Sequence, residues 1–142
     1  MEKVLFVCIH NSARSQMAET FLNDLGKGRF IAESAGIEKG TLNPIVVEAM
    51  AELGYDISQK QTDSVFDFFK EERKFDYVIK VCDQSSGQAC PIFPGAKVSW
   101  NWDFPDPSIF EGSHEEKLEL TRLVRDLIKK RIEEFLNVVV SA

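Results

Sequence analysis

The sequence lacks the features that membrane, nucleic-acid-binding and disulfide-stabilised proteins need. No apolar run approaches the roughly 20 residues that cross a bilayer, and the run Val4–Ile9 is too short for a secretory leader. Basic residues number 17 against 23 acidic ones, for a net charge of −6, so we expect no basic face for nucleic acid. The 3 cysteines are too few, and odd in number, for a disulfide framework. We therefore expect a cytoplasmic protein that binds neither membranes nor nucleic acid.

Histidine and cysteine, the side chains that most often bind zinc, are equally scarce. The chain has 2 histidines, His10 and His114, far apart in the sequence. The seven residues between Cys82 and Cys90 do not match a zinc-binding spacing. We therefore expect no metal and no other cofactor, and in a reducing compartment we expect the cysteines to be catalytic, redox-active or simply buried.

Strand and helix patterns alternate along the whole chain. Val4–Ile9 is a continuous apolar run of the kind that forms a strand buried on both faces of a parallel sheet, and apolar residues at helical spacing follow over Ser15–Leu25. The further predicted strands are Phe30–Glu33, Phe75–Val81 and Ala96–Trp102, and the further predicted helices are Pro44–Leu53, Asp63–Lys74 and one from the capping box Ser113-x-x-Glu116 to Phe135. This alternation predicts one α/β domain over residues 1–142, a three-layer sandwich with a mainly parallel four-stranded sheet. In such folds the ligand site lies beyond the carboxyl ends of the strands.

Helical spacing also predicts which side chains face the core. In the third helix these are Val65, Phe66 and Phe69. In the last helix they are Leu120, Leu123, Val124, Leu127, Ile128, Ile132 and Phe135.

The segment that joins the first strand to the first helix carries the strongest chemical signal. A loop that enters a helix directs several backbone N–H groups at one point, where the helix dipole favours an anion. The planar guanidinium of Arg14 can add bidentate hydrogen bonds to that anion. The same field stabilises a thiolate at Cys8. The alternative is that Cys8 is a buried strand cysteine and Arg14 a surface charge, but the strand, the small polar loop and the helix together favour an oxyanion site. Its predicted lining is Ile9, His10, Asn11, Ser12, Ala13 and Arg14.

The run Cys-Ile-His-Asn-Ser-Ala-Arg-Ser resembles the Cys-x5-Arg-Ser loop of the low-molecular-weight protein tyrosine phosphatase fold. The run Gln16–Glu19 and the later Ser34-Ala35-Gly36 resemble the arsenate reductase branch of that family. The resemblance implies that Cys8 is the nucleophile, Arg14 the oxyanion clamp, Asn11 a loop-shaping residue and Ser15 a hydroxyl that supports the thiolate. His10 departs from the pattern, because many members have glycine there.

The resemblance also implies a general acid and a cation site. Asp106 lies between two prolines, which stiffen the backbone and suit a proton donor at the rim of a site. An ordinary turn is the alternative for this segment, and Asp103 is the competing acid. The cation site would use Asn11, Glu19 and Ser34, although the order of Thr62-Asp63-Ser64 differs from the family's usual pattern.

Cys82 and Cys90 distinguish two branches of the family. In a helix their Cα atoms would be about 12 Å apart, whereas a disulfide needs roughly 4.4–6.8 Å, so the segment between them must loop out. The resemblance implies that Cys82 attacks the arsenic adduct of Cys8 and that Cys90 then forms a disulfide with Cys82, which thioredoxin reduces. Typical members have six intervening residues instead of seven, and the extra residue costs only about 0.1 kcal/mol in loop closure.

The expected function is therefore thioredoxin-dependent reduction of arsenate for arsenic detoxification, by a monomer for which phosphate and sulfate are competing oxyanions. One alternative is a phosphatase that uses Cys8, Arg14 and Asp106 alone, although the loop after Trp102 lacks the paired tyrosines that follow the acid in typical phosphatases. Another is a non-catalytic thiol redox sensor or arsenic-binding module, which would need neither an oxyanion loop nor an acid.

Overall fold

The described part of the chain contains four strands and four helices, in the order that the sequence predicts. The computed structural model describes residues 2–8, 13–36, 40–81, 98–102, 104–105, 107 and 110–141. The strands are β1 (Glu2–Cys8), β2 (Phe30–Gly36), β3 (Tyr77–Lys80) and β4 (Val98–Asn101), and the helices are α1 (Arg14–Leu25), α2 (Pro44–Ala51), α3 (Val65–Lys70) and α4 (His114–Ser141). β2 is longer than predicted, α3 is shorter, and α4 continues past Phe135.

The strands form one sheet in the order β2-β1-β3-β4, and all neighbouring pairs are parallel. β1 is a central strand and is buried from Val4 to Cys8, which explains its unbroken apolar sequence. Cys8 is in register with Gly36 of β2, and Val7 is in register with Lys80 of β3. The carboxyl ends of these three strands therefore meet at one edge of the sheet, where the ligand site was predicted.

Side chains of β1 alternate between two hydrophobic clusters, one on each face of the sheet. Val4, Phe6 and Cys8 join the larger cluster, which includes buried residues of α1, α2 and α4. Leu5 and Val7 join a smaller cluster with residues of α3. This arrangement confirms the predicted three layers, and it turns the Cys8 side chain toward the face that carries α1.

Polar caps define the starts of two helices. The Asn43 side chain accepts a hydrogen bond from the Ile45 N–H at 2.9 Å, at the start of α2. Ser113 and Glu116 exchange side-chain to backbone hydrogen bonds of 3.2 and 3.3 Å before α4, which confirms the predicted capping box. Within the described residues, no helix is long and apolar enough to span a bilayer.

The predicted inward faces of α3 and α4 were partly wrong. In α3, Val65 and Phe68 are buried, whereas Phe66 and Phe69 are exposed. In α4 three of the seven predicted residues, Leu120, Leu123 and Leu127, are exposed. The buried row of α4 is Leu118, Thr121, Val124, Arg125, Ile128, Ile132, Phe135 and Leu136.

Arg125 shows why the leucine-rich row of α4 is not the inner one. Its guanidinium donates hydrogen bonds to the Ala49 carbonyl at 2.8 Å and to the Glu52 carboxylate at 2.9 Å. A buried charge needs partners of this kind, and both lie on or next to α2. The buried row of α4 thus includes a charged residue whose partners lie on or next to another helix, and the sequence of α4 alone does not contain that information.

Candidate active site

Cys8 is the last residue of β1, and its thiol contacts the first turn of α1. The side chain is 2% exposed, and its Sγ lies 2.9 Å from the hydroxyl oxygen of the fully buried Ser15. A thiolate can only accept hydrogen bonds, so in the ionised state Ser15 is the donor. This geometry agrees with the support for a thiolate that was predicted for Ser15.

Arg14 is the first residue of α1, and its side chain is buried beside the same edge of the sheet. One guanidinium nitrogen donates to the backbone carbonyl of Phe104 at 3.0 Å. Because the guanidinium is planar and its donors form a rigid fork, this bond restricts the directions in which Arg14 presents its other N–H groups. Phe104 lies in the chain segment between β4 and α4, two residues before Asp106. Arg14 thus connects the start of α1 to the segment that carries the predicted acid.

The start of α1 is suited to an anion. Its cap residue, Ala13, is buried and has no side-chain oxygen to accept from the first N–H groups of the helix. The first turn contains no acidic side chain that would oppose a bound anion. Ala13 and Arg14 are the two predicted lining residues whose positions the structure describes.

Eight further predicted residues fall outside the described residues. These are Ile9, His10, Asn11, Ser12, Cys82, Cys90, Asp103 and Asp106. The structure does describe the residue that precedes Cys82: Val81 is buried, and its N–H donates to the Val7 carbonyl at 2.8 Å. The chain therefore reaches Cys82 immediately after a residue that is hydrogen bonded to the neighbour of Cys8.

Two residues of the predicted cation site are in contact, together with a residue that the sequence did not indicate. The Ser34 hydroxyl donates to the Glu19 carboxylate at 3.3 Å. The Lys60 ammonium forms an ion pair with the other carboxylate oxygen of Glu19. Burial lowers the pKa of Lys60, and the negative charge of Asp63 opposes that shift. In the sequence Lys60 lies in a polar stretch and resembles an ordinary surface lysine.

The residues after Lys60 contact α1 and β2, the two elements that carry Glu19 and Ser34. The buried Gln16 side chain donates to the Gln61 carbonyl at 3.1 Å, and the Gly36 N–H donates to the Asp63 carbonyl at 2.7 Å. Segment 60–63 therefore contacts both the first turns of α1 and the carboxyl end of β2. The one feature of the sequence that could have indicated this contact is Gln16 at the start of α1, since a buried amide needs a hydrogen-bond partner.

We expect Arg14→Lys to lower kcat/KM for an oxyanion substrate by about 10²–10³-fold, the usual effect of removing one positioned donor. Lysine is a point charge and cannot bind the Phe104 carbonyl and an oxyanion in one plane. Steady-state kinetics with an aryl phosphate measures this effect. The exposed Arg29→Lys is the matched control, and near-normal kinetics in both variants would place the clamp elsewhere.

The comparisons with known proteins agree with this geometry. The family model for low molecular weight phosphotyrosine protein phosphatase matches residues 3–141. The arsenate reductase of Halalkalibacterium halodurans is 39% identical over 132 residues, which is 93% of each chain. The glutaredoxin arsenate reductase of Synechocystis is 35% identical over 133 residues, covering 94% of this chain and 95% of the relative.

Solved structures are similar over the same length. An arsenate reductase in the phosphate binding state has a TM-score of 0.78 and 34% identity, covering 96% of this chain and 98% of the other. A thioredoxin-dependent arsenate reductase of Corynebacterium glutamicum has a TM-score of 0.71 and 28% identity, with all of this chain matched to 64% of the other.

Proposed function

The chain belongs to the low molecular weight phosphotyrosine protein phosphatase family, and from that premise we propose that it reduces arsenate to arsenite. The observation that carries the proposal is the Cys8 thiol at the carboxyl end of β1, hydrogen bonded to Ser15 in the first turn of α1, a helix whose start is suited to an anion. Relatives that are 35 to 39% identical over nearly the whole chain are arsenate reductases. This agreement favours arsenate reduction over the phosphatase and sensor alternatives.

The first step is attack of the Cys8 thiolate on arsenic. Arg14 and the N–H groups at the start of α1 hold the arsenate oxygens and balance their negative charge. A sulfur–arsenic bond forms, and one arsenic–oxygen bond breaks. Asp106 protonates the departing oxygen, which leaves as water. Phosphate and sulfate have the same tetrahedral shape and compete for this site.

The second step transfers two electrons to arsenic. The Cys82 thiolate attacks the Cys8 sulfur, and the electron pair of the sulfur–arsenic bond remains on arsenic, which leaves as arsenite. A Cys8–Cys82 disulfide results. The contact between Val81 and Val7 supports this step, because it brings the chain next to Cys8 just before Cys82.

The last steps restore Cys8. Cys90 attacks the Cys82 sulfur, which releases the Cys8 thiolate and leaves a Cys82–Cys90 disulfide for an external dithiol. We propose thioredoxin as that reductant and a monomer as the working form. A glutaredoxin is the competing reductant, since one relative is a glutaredoxin arsenate reductase.

A coupled assay tests the proposed function. Arsenate, thioredoxin, thioredoxin reductase and NADPH are incubated with the protein, and NADPH oxidation is followed. A parallel reaction replaces thioredoxin with glutaredoxin, glutathione and glutathione reductase, and a third measures hydrolysis of an aryl phosphate. Sustained arsenate-dependent oxidation of NADPH supports the proposal, whereas aryl phosphate hydrolysis without any arsenate turnover would establish the phosphatase alternative.

We expect Asp106→Asn to lower kcat for aryl phosphate by about 10²–10⁴-fold, the usual contribution of a positioned general acid. The neighbouring Asp103→Asn is the matched control and should have a much smaller effect. Thermal unfolding of both variants checks that the fold is retained. If Asp103→Asn were the more damaging change, the acid would be Asp103.

A further inference from the structure

Glu19, Ser34 and Lys60 form a polar cluster beneath the start of α1, which we call the Glu19 cluster. The Glu19 carboxylate accepts from the Ser34 hydroxyl at 3.3 Å and pairs with the Lys60 ammonium. The Glu19 side chain is 14% exposed and that of Lys60 is 32% exposed. A carboxylate so little exposed needs a positive partner, and within the described residues Lys60 supplies it.

The position of the Glu19 cluster connects it to the proposed nucleophile. Glu19 lies one helical turn after Ser15 on α1, and Ser34 lies two residues before Gly36, the partner of Cys8 in the sheet. The Gln16 side chain is bonded to the residue that follows Lys60. Segment 60–63 thus joins α1 to β2 at the edge of the sheet where Cys8 ends its strand.

The family resemblance implies a bound monovalent cation at Glu19 and Ser34, and the residues present do not fit one. The Lys60 ammonium already contacts the Glu19 carboxylate. A second positive charge at the same carboxylate would be repelled at short range. Carboxylate and hydroxyl oxygens are suitable ligands for an alkali cation, but in this chain the Lys60 ammonium already pairs with the carboxylate.

We propose that Lys60 is a positioning residue whose ammonium serves as the built-in cation of the Glu19 cluster. It holds α1 against β2. In this way it fixes the relative positions of Arg14, Ser15 and Cys8, which lie at the adjoining ends of β1 and α1. Activity is therefore independent of potassium in the wild-type protein, and removal of the ammonium exposes a potassium site at Glu19 and Ser34. The kinetic consequence rests on the proposed function, whereas the binding consequence does not.

Three variants separate a cation role from a merely structural one. Lys60→Gln removes the charge while keeping a polar side chain, Lys60→Arg keeps the charge, and the double variant Glu19→Gln with Lys60→Gln removes the carboxylate as well. For each, the midpoint of thermal unfolding and the affinity for inorganic phosphate are measured in potassium chloride and in choline chloride, at a constant ionic strength of about 0.15 M. Arsenate kcat and KM are measured in the same two salts.

For wild type, the unfolding midpoint, the phosphate affinity and the arsenate kinetics should each be the same in potassium chloride as in choline chloride. Lys60→Arg should likewise show no difference between the two salts. Lys60→Gln should bind phosphate roughly tenfold more weakly in choline, as expected when a group that orients a site is lost, and potassium should restore most of that affinity and raise the unfolding temperature. The double variant should bind phosphate weakly in both salts, because it lacks the carboxylate that would bind potassium.

Three outcomes would overturn the inference. The first is a wild-type protein that responds to potassium as strongly as Lys60→Gln. The second is a Lys60→Gln variant whose phosphate affinity and unfolding temperature equal those of wild type in choline. The third is a Lys60→Gln variant in which both values fall and potassium restores neither. The phosphate and unfolding measurements use no arsenate, so a failure of the proposed function leaves this test intact.

Discussion

Cys8→Ser is expected to abolish turnover of both arsenate and aryl phosphate, lowering kcat by at least about 10⁴-fold, as loss of an enzyme's nucleophile does. In the proposed mechanism both reactions begin with attack by the Cys8 thiolate, which lies beside the first turn of α1. A serine hydroxyl in the same place is nearly the same size, but it stays protonated and is a far weaker nucleophile. Oxyanion binding should survive, since Arg14 and the start of α1 are unchanged.

The test separates chemistry from binding. Single-turnover kinetics with excess enzyme measure the chemical step, and calorimetric titration with inorganic phosphate measures the binding of an oxyanion. Cys90→Ser is the matched control, because it makes the same chemical change outside the proposed oxyanion loop and should retain aryl phosphate hydrolysis. More than trace turnover by Cys8→Ser would remove Cys8 as the nucleophile.

Cys82→Ser and Cys90→Ser should each stop multiple turnovers with arsenate while leaving aryl phosphate hydrolysis largely intact. Only the reductive route needs a second and a third thiol, because phosphate release from Cys8 requires water alone. Steady-state NADPH oxidation and aryl phosphate hydrolysis, measured on the same preparations, give the two rates. Arsenate turnover at the wild-type rate in both variants would contradict the three-cysteine relay, because neither Cys82 nor Cys90 would then be needed for reduction.

The two relay variants should stop at different points. Without Cys82, no intramolecular disulfide resolves the adduct on Cys8. Without Cys90, one turnover should release arsenite and leave a Cys8–Cys82 disulfide. Mass spectrometry of alkylated and digested protein, after one equivalent of arsenate, identifies which cysteines are joined. Unchanged steady-state reduction by Cys90→Ser would mean that an external thiol attacks the Cys8–Cys82 bond directly.

The seven-residue spacing makes the Cys90 step the sharpest part of this test. A loop one residue longer than the usual six costs little to close, but it changes where Cys90 lies relative to Cys82 and to the reductant. A Cys82–Cys90 disulfide found in wild type after one equivalent of arsenate would show that the longer loop still completes the relay.

The order of elements and the parallel sheet followed from local patterns. The run Val4–Cys8 is apolar at every position because β1 is covered on both faces, and the Ser113 capping box begins α4 because its two hydrogen bonds are local. The predicted roles of Cys8, Arg14 and Ser15 came from a short segment with a recognisable pattern. The structure brings Ser15 to the Cys8 thiol, seven residues away in the chain.

What only the tertiary structure decided involves residues that are distant in sequence. α4 has two apolar rows, and the fold buries the one with Arg125 instead of the one with Leu123, with Ala49 and Glu52 accepting hydrogen bonds from the buried guanidinium. The Arg14 contact with Phe104 spans ninety residues of sequence, and the pairing of Lys60 with Glu19 spans forty-one. Sequence alone determined the order of the helices and strands and indicated the candidate nucleophile segment, because the causes of both lie within a few residues. The partners of buried charges depend on which elements the fold brings together, and no local pattern specifies them.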